Sequence, residues 1–218
     1  MKVLVVDIGG THVKLLASGR RVPVKLDSGR DLTPRLMVRR VLEATRGWRY
    51  DAVTLGYPGP VERGRPLADP HNLAPGWRRF DFAGAFGRPV RIVNDAAMQA
   101  LGSYDGGRML FLGLGTGLGS ALVDGGVLMP LELAHLPYRN GKTFEDYLGV
   151  RGLEAHGRSK WARHVFLVTD LLRRAMVADH VVLGGGNVKK LKRLPPHARR
   201  GDNVNAFRGG IRVWAAAR

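Results

Sequence analysis

The sequence predicts an α/β protein built in two halves. Two observations carry this. Apolar runs of the kind buried on both faces of a sheet end in glycine turns at residues 9, 113 and 184, with amphipathic helical segments between them. The second half, from Met109, also restarts with strand, glycine turn and strand, the device that opens the chain. Tyr104-Asp105-Gly106-Gly107 reads as the junction, giving an N-terminal lobe over 1–106 and a C-terminal lobe over 107–218.

Lys2–Val6 is the first buried strand, and it runs into Asp7-Ile8-Gly9-Gly10-Thr11-His12-Val13-Lys14 before Leu15-Leu16-Ala17. Thr33-Pro34 offers a helix cap and a first-turn proline. Val38, Val41, Leu42 and Thr45 then repeat at helical spacing up to Gly47. Ala52–Leu55 is a strand delivering Gly56-Tyr57-Pro58-Gly59-Pro60, and Glu62 to Gly87 reads as loop. Val90–Val93 is a short strand, and Asn94-Asp95 opens a helix over Ala96–Leu101. Met109–Val123, MLFLGLGTGLGSALV, carries the densest glycines, which let backbone N–H groups approach an anion with no Cβ in the way. Phe144–Ala155 and Lys160–Met176 are expected helices. His180–Leu183 is a strand before Gly184-Gly185-Gly186-Asn187, and beyond Arg193 no periodicity stands out.

Composition narrows the function. No cysteine is present, which excludes disulfides, thiolate zinc sites and cysteine nucleophiles and suits a reducing compartment. Met1 leads directly into the first strand, and the longest uncharged run is short and broken by glycines. A soluble, cytoplasmic protein with no membrane partner is expected. Lys and Arg number 35 against 18 Asp and Glu, a net charge of +17 that favours polyanionic partners or a solvated basic surface. Glycine, 30 of 218 residues, is about twice its usual share, as expected of many tight turns near a ligand.

With acids so scarce, each carboxylate beside a glycine turn stands out. Asp7, at the end of a strand, can hold Mg²⁺ directly or through water, or can simply form a turn; Thr11 and Lys14 can donate to phosphoryl oxygens. Asn94-Asp95 reads either as a helix cap or as the place of a general base. Glu132-Leu133-Ala134-His135 has metal-like spacing, but prolines flank it closely and no second copy exists, so hydrogen bonds to a polyol suit it better. Glu145 fits the same role or that of a first-turn helix acid.

DIGGTHVK (7–14), VNDA (93–96), GLGTGLG (113–119), ELAH (132–135) and LGGGN (183–187) resemble, in order, the motifs of ROK-family sugar kinases. GYPGPV, PHNLAPGW, NDAAMQALGSY, ELAHLPY, FEDYLG and SKWARHV are similar to the polyphosphate glucokinase branch of that family. The resemblance implies a two-lobed actin-like ATPase (ribonuclease H-like) fold with the active site in the inter-lobe cleft. It further implies transfer of a phosphoryl group from polyphosphate or ATP to the 6-hydroxyl of glucose, with Mg²⁺. Gly9, Gly10, Thr11 and Lys14 would form one phosphate loop, with Asp7 toward the metal, and Gly115, Thr116 and Gly117 a second. Asp95 would be the catalytic base. Asn94, Glu132, His135, Glu145 and Gly59 would hold the sugar, and Gly184, Gly185, Gly186 and Asn187 the nucleotide or its polyphosphate counterpart. Members of the family commonly carry a cysteine-rich zinc motif between the positions of His135 and Glu145. Here it is missing, and no zinc is expected. DNA-binding relatives place a helix-turn-helix ahead of the first motif, which here begins at residue 7, so no nucleic-acid partner is expected. A homodimer is.

Overall fold

In the computed structural model, residues 1–215 are described. They form two compact units, Met1–Met98 with the segment from Ala206, and Gln99–Asn205.

The first unit is built on a five-stranded sheet of β1 (Val3–Ile8), β2 (His12–Ala17), β3 (Val24–Asp27), β4 (Ala52–Tyr57) and β7 (Val90–Asn94), in the order β3-β2-β1-β4-β7. β1, β2 and β3 form an antiparallel meander, while β4 and β7 run parallel to β1. Helix α1 (Pro34–Ala44), capped by Thr33 Oγ1 accepting from the Leu36 N–H at 3.2 Å, covers one face through Met37, Val38 and Val41. The segment expected as loop contains a small hairpin, β5 (Val61–Glu62) and β6 (Arg65–Pro66), and a short helix α2 (Phe82–Phe86). The carboxylate of Asp69 orders the chain between them by accepting from the N–H groups of Gly76, Trp77 and Arg78 at 2.8–3.0 Å. Those bonds hold the Asp69 pKa down, and they let fully buried Trp77 pack against Tyr57 and Phe82.

β1 is buried along its whole length because both faces of its sheet are covered. Leu4, Val6 and Ile8 face the α1 and α2 side. Val3 and Val5 meet Met98, Ala206 and Phe207 on the other. Met98 belongs to α3 (Asp95–Ser103), while Ala206 and Phe207 belong to the last helix. The last helix thus packs with the first unit, whereas the expected limits place the C-terminal segment with the second half. Its apolar side chains complete the first sheet's core. Thr54 Oγ1 donates to Gly210 O at 2.7 Å and accepts from Trp214 Nε1 at 2.8 Å.

The second unit repeats the strand plan. β8 (Met109–Leu114), β9 (Leu118–Asp124) and β10 (Val127–Leu131) form an antiparallel meander, with β13 (His180–Gly184) and β14 (Ala198–Arg200) parallel to β8, in the order β10-β9-β8-β13-β14. Between them lie a 3-10 turn at Leu133–His135, the hairpin β11 (Pro137–Arg139) and β12 (Lys142–Thr143), and helices α4 (Phe144–Leu148) and α5 (Val150–Ala175). The expected helices 144–155 and 160–176 therefore divide differently. Gly149 in extended conformation ends α4, and Gly157, at φ 69°, breaks α5. Leu153, Trp161, Val165, Val168 and Leu172 lay α5 on the sheet. The closing helix, α6 (Asn205–Arg212), lies where the sequence shows no periodicity strong enough to name. Among the described residues no helix is long and apolar enough to cross a membrane.

Candidate active site

In the first unit, Asp7 lies one residue before the end of β1, opposite Lys14 of β2, with Lys14 Nζ 3.4 Å from its carboxylate. Asp7 is only 7% exposed, and its burial raises the carboxyl pKa against the lowering pull of Lys14. The turn between these strands closes by the Gly9 N–H donating to His12 O at 3.0 Å, leaving Gly10 and Thr11 exposed at the tip. A Cβ on Gly10 would come within 3.3 Å of Asn72 Cβ, so the Asp69-ordered loop stands over this turn. Asp69 and Asn72 escape the sequence reading as site residues. The available signal was an acid heading a proline-rich loop in a chain that has only 18 acids.

β7 delivers Asn94 and Asp95 to the same unit, and here the hydrogen bonds separate two readings that the sequence leaves open. Asn94 Oδ1 accepts from the Ala97 N–H at 3.0 Å, three residues on, which is the capping bond. Asn94 Nδ2 donates to Gly59 O at 3.1 Å and fixes the Pro58-Gly59 turn. Asp95 Oδ1 accepts from the adjacent Ala96 N–H at 2.8 Å. Asn94 is the cap.

In the second unit three sequence-predicted groups come together. The Asn187 amide donates to Gly115 O at 2.9 Å, tying the third glycine turn to the second. Glu145 Oε2 accepts from the Leu118 N–H at 3.2 Å, and a Cβ on Gly117 would strike the same carboxylate. The Val150 N–H donates to Thr116 O at 3.1 Å, so α4 and the start of α5 buttress the loop. Gly185, at φ 84°, has Leu114 backbone where a Cβ would go, which requires glycine. Thr116 itself stays exposed.

Glu132 follows β10 and heads the turn that carries His135. Neighbouring atoms partly desolvate its carboxyl and raise its pKa; Glu145 adds to this and His135 opposes it. The residue is still exposed to water, so this desolvation is partial. Glu132 is thus close enough to sense both His135 and Glu145. Glu145 also lies 3.5 Å from the Arg151 guanidinium. Among the described residues no three His, Asp or Glu side chains form a metal cage.

No family model matches the chain. It is 30% identical over 213 residues to polyphosphate glucokinase of Mycobacterium tuberculosis, a match spanning 88% of this chain and 80% of that protein. A glucokinase of Thermotoga maritima is 27% identical over 227 residues, covering 93% of this chain and 71% of its own length. Among solved structures, the inorganic polyphosphate/ATP-glucomannokinase of an Arthrobacter species superposes with a TM-score of 0.84 at 22% identity, covering 100% of this chain and 99% of that one. A ROK glucokinase from Streptomyces griseus, solved with glucose and AMPPNP, gives 0.76 at 18% identity over 98% and 99%. The repeated five-stranded plan is the actin-like ATPase fold of these kinases. The chain belongs to the ROK family of sugar kinases, beside the polyphosphate glucokinases.

Proposed function

We propose that this chain is a glucokinase that moves the terminal phosphoryl group of inorganic polyphosphate, or of ATP, to the 6-hydroxyl of glucose. The match to polyphosphate glucokinase over most of both chains carries the reaction class. The residue roles rest on the geometry. Asp95 is the general base, held at the start of α3 beside Asn94, which takes the capping bond. It accepts the proton of the attacking hydroxyl as the phosphoryl group transfers. Glu132, His135 and Glu145 bind the other sugar hydroxyls, joined by Asn94 and the Gly59 turn.

The backbone at Gly9, Gly10 and Thr11, with Lys14, and at Gly115, Thr116 and Gly117 cradles phosphoryl oxygens. Gly184, Gly185, Gly186 and Asn187 serve the more distant part of the donor. A single buried carboxylate, Asp7, paired only at 3.4 Å with Lys14, suits Mg²⁺ that keeps most of its water and is carried by the phosphate chain. Bound there, the ion would neutralise charge on the transferring group.

A cytoplasmic location agrees with the absence of cysteine. Self-association into a homodimer is part of the same reading, and the exposed Leu167 and Leu171, one turn apart on α5, support it. The test is a coupled assay for glucose 6-phosphate with polyphosphate and with ATP, side by side. Product from polyphosphate is expected. Product from ATP alone would leave an ATP-dependent glucokinase, and none from either donor would overturn the reading.

A further inference from the structure

One cluster in the second unit has no part in the roles above. Tyr138 of β11, Tyr147 of α4, and His156 and His164 of α5 stack together. The Tyr147 ring lies on His156 at 4.9 Å and edge-on to His164 at 4.7 Å, while Tyr138 meets Tyr147 at 5.0 Å. The Tyr138 hydroxyl is 3.1 Å from His164 Nδ1, a bond in which the phenol can donate to the neutral ring. His156 is the last residue before the Gly157 break. Eight residues along an unbroken helix would place two side chains about 12 Å apart along its axis, yet the two imidazoles are 5.6 Å apart. The break is what lets both reach Tyr147.

The cluster fastens the segment that carries the sugar residues. β11 follows the His135 turn directly, and the Phe144 N–H donates to Leu136 O at 3.1 Å, closing the hairpin against α4. Tyr138 also packs on Phe144 at 5.2 Å, next to Glu145. Trp161 Nε1 donates to Leu148 O at 2.9 Å and anchors the far part of α5 to the end of α4. With few apolar side chains in the hairpin itself, its placement falls to these rings.

We propose that Tyr138 and His164 are positioning residues whose hydrogen bond sets His135 and Glu145 for sugar binding, and that acid loosens this clamp. The inference rests on the glucokinase reading. His164 is faced by Tyr138 and Arg139 from β11, Tyr147 from α4, and His156 and Arg163 from its own helix. Burial and the charges of His156, Arg139 and Arg163 all disfavour a second cation there and lower its pKa. Protonation removes the acceptor at Nδ1 and adds positive charge among cations. Because the folded-state pKa lies below the free value, the unfolded chain binds the proton more readily. The clamp's stabilisation is complete above about pH 6.5 and declines as pH falls through the window below it.

The test compares wild type, Tyr138→Phe and His164→Asn, whose amide oxygen can replace Nδ1 as acceptor without titrating. KM and kcat for glucose are measured at pH 7.5 and pH 5.5. At pH 7.5, Tyr138→Phe is expected to raise KM by about 2- to 12-fold, the range for one lost hydrogen bond, with kcat within about twofold. His164→Asn should match wild type at pH 7.5 and escape the extra rise in KM that wild type shows at pH 5.5. Superimposable KM profiles for wild type and His164→Asn would overturn the clamp, as would an unchanged KM in Tyr138→Phe. Wild type that neither phosphorylates nor binds glucose, by calorimetry, would overturn the glucokinase reading and the clamp with it.

Discussion

At the start of α3 two neighbouring polar side chains compete for one structural task, and the hydrogen bonds divide it between them. Asn94 caps the helix through Ala97 and holds Gly59, while the Asp95 carboxylate bonds to the adjacent Ala96 N–H. The sequence could place this pair at a strand-to-helix corner, yet could not say which residue was the cap, because both types cap well. Asp95→Asn should therefore fold normally and bind glucose with little change, while turnover falls by about 10²–10⁴-fold, the range for a lost general base. Circular dichroism, glucose titration and steady-state rates check this; a rate within threefold of wild type would remove Asp95 from the chemistry. Asp7 poses the opposite problem, since its carboxylate costs stability where it sits. Its pKa is raised by burial, so between the free value of 3.8 and the folded value the native state holds the proton more tightly. Stability accordingly falls as pH climbs through that window and stays lowered above it. Asp7→Asn should raise the melting temperature at pH 7.5 by roughly 2–4 °C, the shift that about 1 kcal/mol gives a chain of this size, while activity is lost. An unchanged or lower Tm would show that Lys14 already compensates the buried charge.

The strand–glycine–strand device was readable at both places where it occurs, because buried strands write continuous apolar runs and their turns write glycine. Its repetition extends to the strand order of each sheet, which no residue-level repeat reveals. Other elements were hidden for physical reasons. The loop headed by Asp69 owes its order to one carboxylate meeting three N–H groups seven to nine residues away, a pattern with no local period. The segment from Ala206 belongs to the first core through contacts to Val3, Val5 and Met98, a separation in sequence that periodicity cannot span. Likewise Glu145 was legible as a candidate sugar ligand, whereas its bond to Leu118 N–H and its place behind Gly117 were not. That arrangement gives a contrast between two glycines of one loop. Gly117→Ala would push the Glu145 side chain aside, and a flexible side chain can yield without unfolding the helix. We expect KM for glucose to rise about tenfold or more, as for a sugar hydroxyl left without its partner, with Tm near wild type. A Cβ on Gly115 meets open space, so Gly115→Ala should leave both Tm and glucose KM unchanged. Equal effects of the two substitutions on KM would dissociate Glu145 from the sugar.

For the molecule as a whole, the net charge of +17 asks for an explanation, and the second unit, which carries the smaller part of it, sets some of its cations near its glycine turns. Two groups of basic residues stand apart in sequence: Arg139, Lys142, Arg158, Lys160, Arg163 and His164, and then Lys189–Arg193. The structure joins them: the Arg158 side chain donates to Lys190 O, and Arg193 lies 5.3 Å over the ring of Phe166 on the same helix. His164 leaves this set, since it is committed to Tyr138 and sits among rings. Lys189–Arg193 follow directly on the third glycine turn, which Asn187 ties to the second. Lys189, Lys192 and Arg193 are exposed there. A donor made of many phosphates can engage several of these groups at once, whereas ATP ends after three and is held partly by its base and ribose. Each phosphate neutralised releases condensed counterions, so binding weakens with salt in proportion to the number of contacts. The KM for long-chain polyphosphate should therefore rise steeply between about 50 and 200 mM salt, and the KM for ATP only modestly. Reversing charge at Lys189 and Lys192 to Glu should flatten the polyphosphate slope while leaving the ATP slope and glucose KM as in wild type. Equal slopes for the two donors in the unmodified protein would mean that the basic surface takes no part in donor binding.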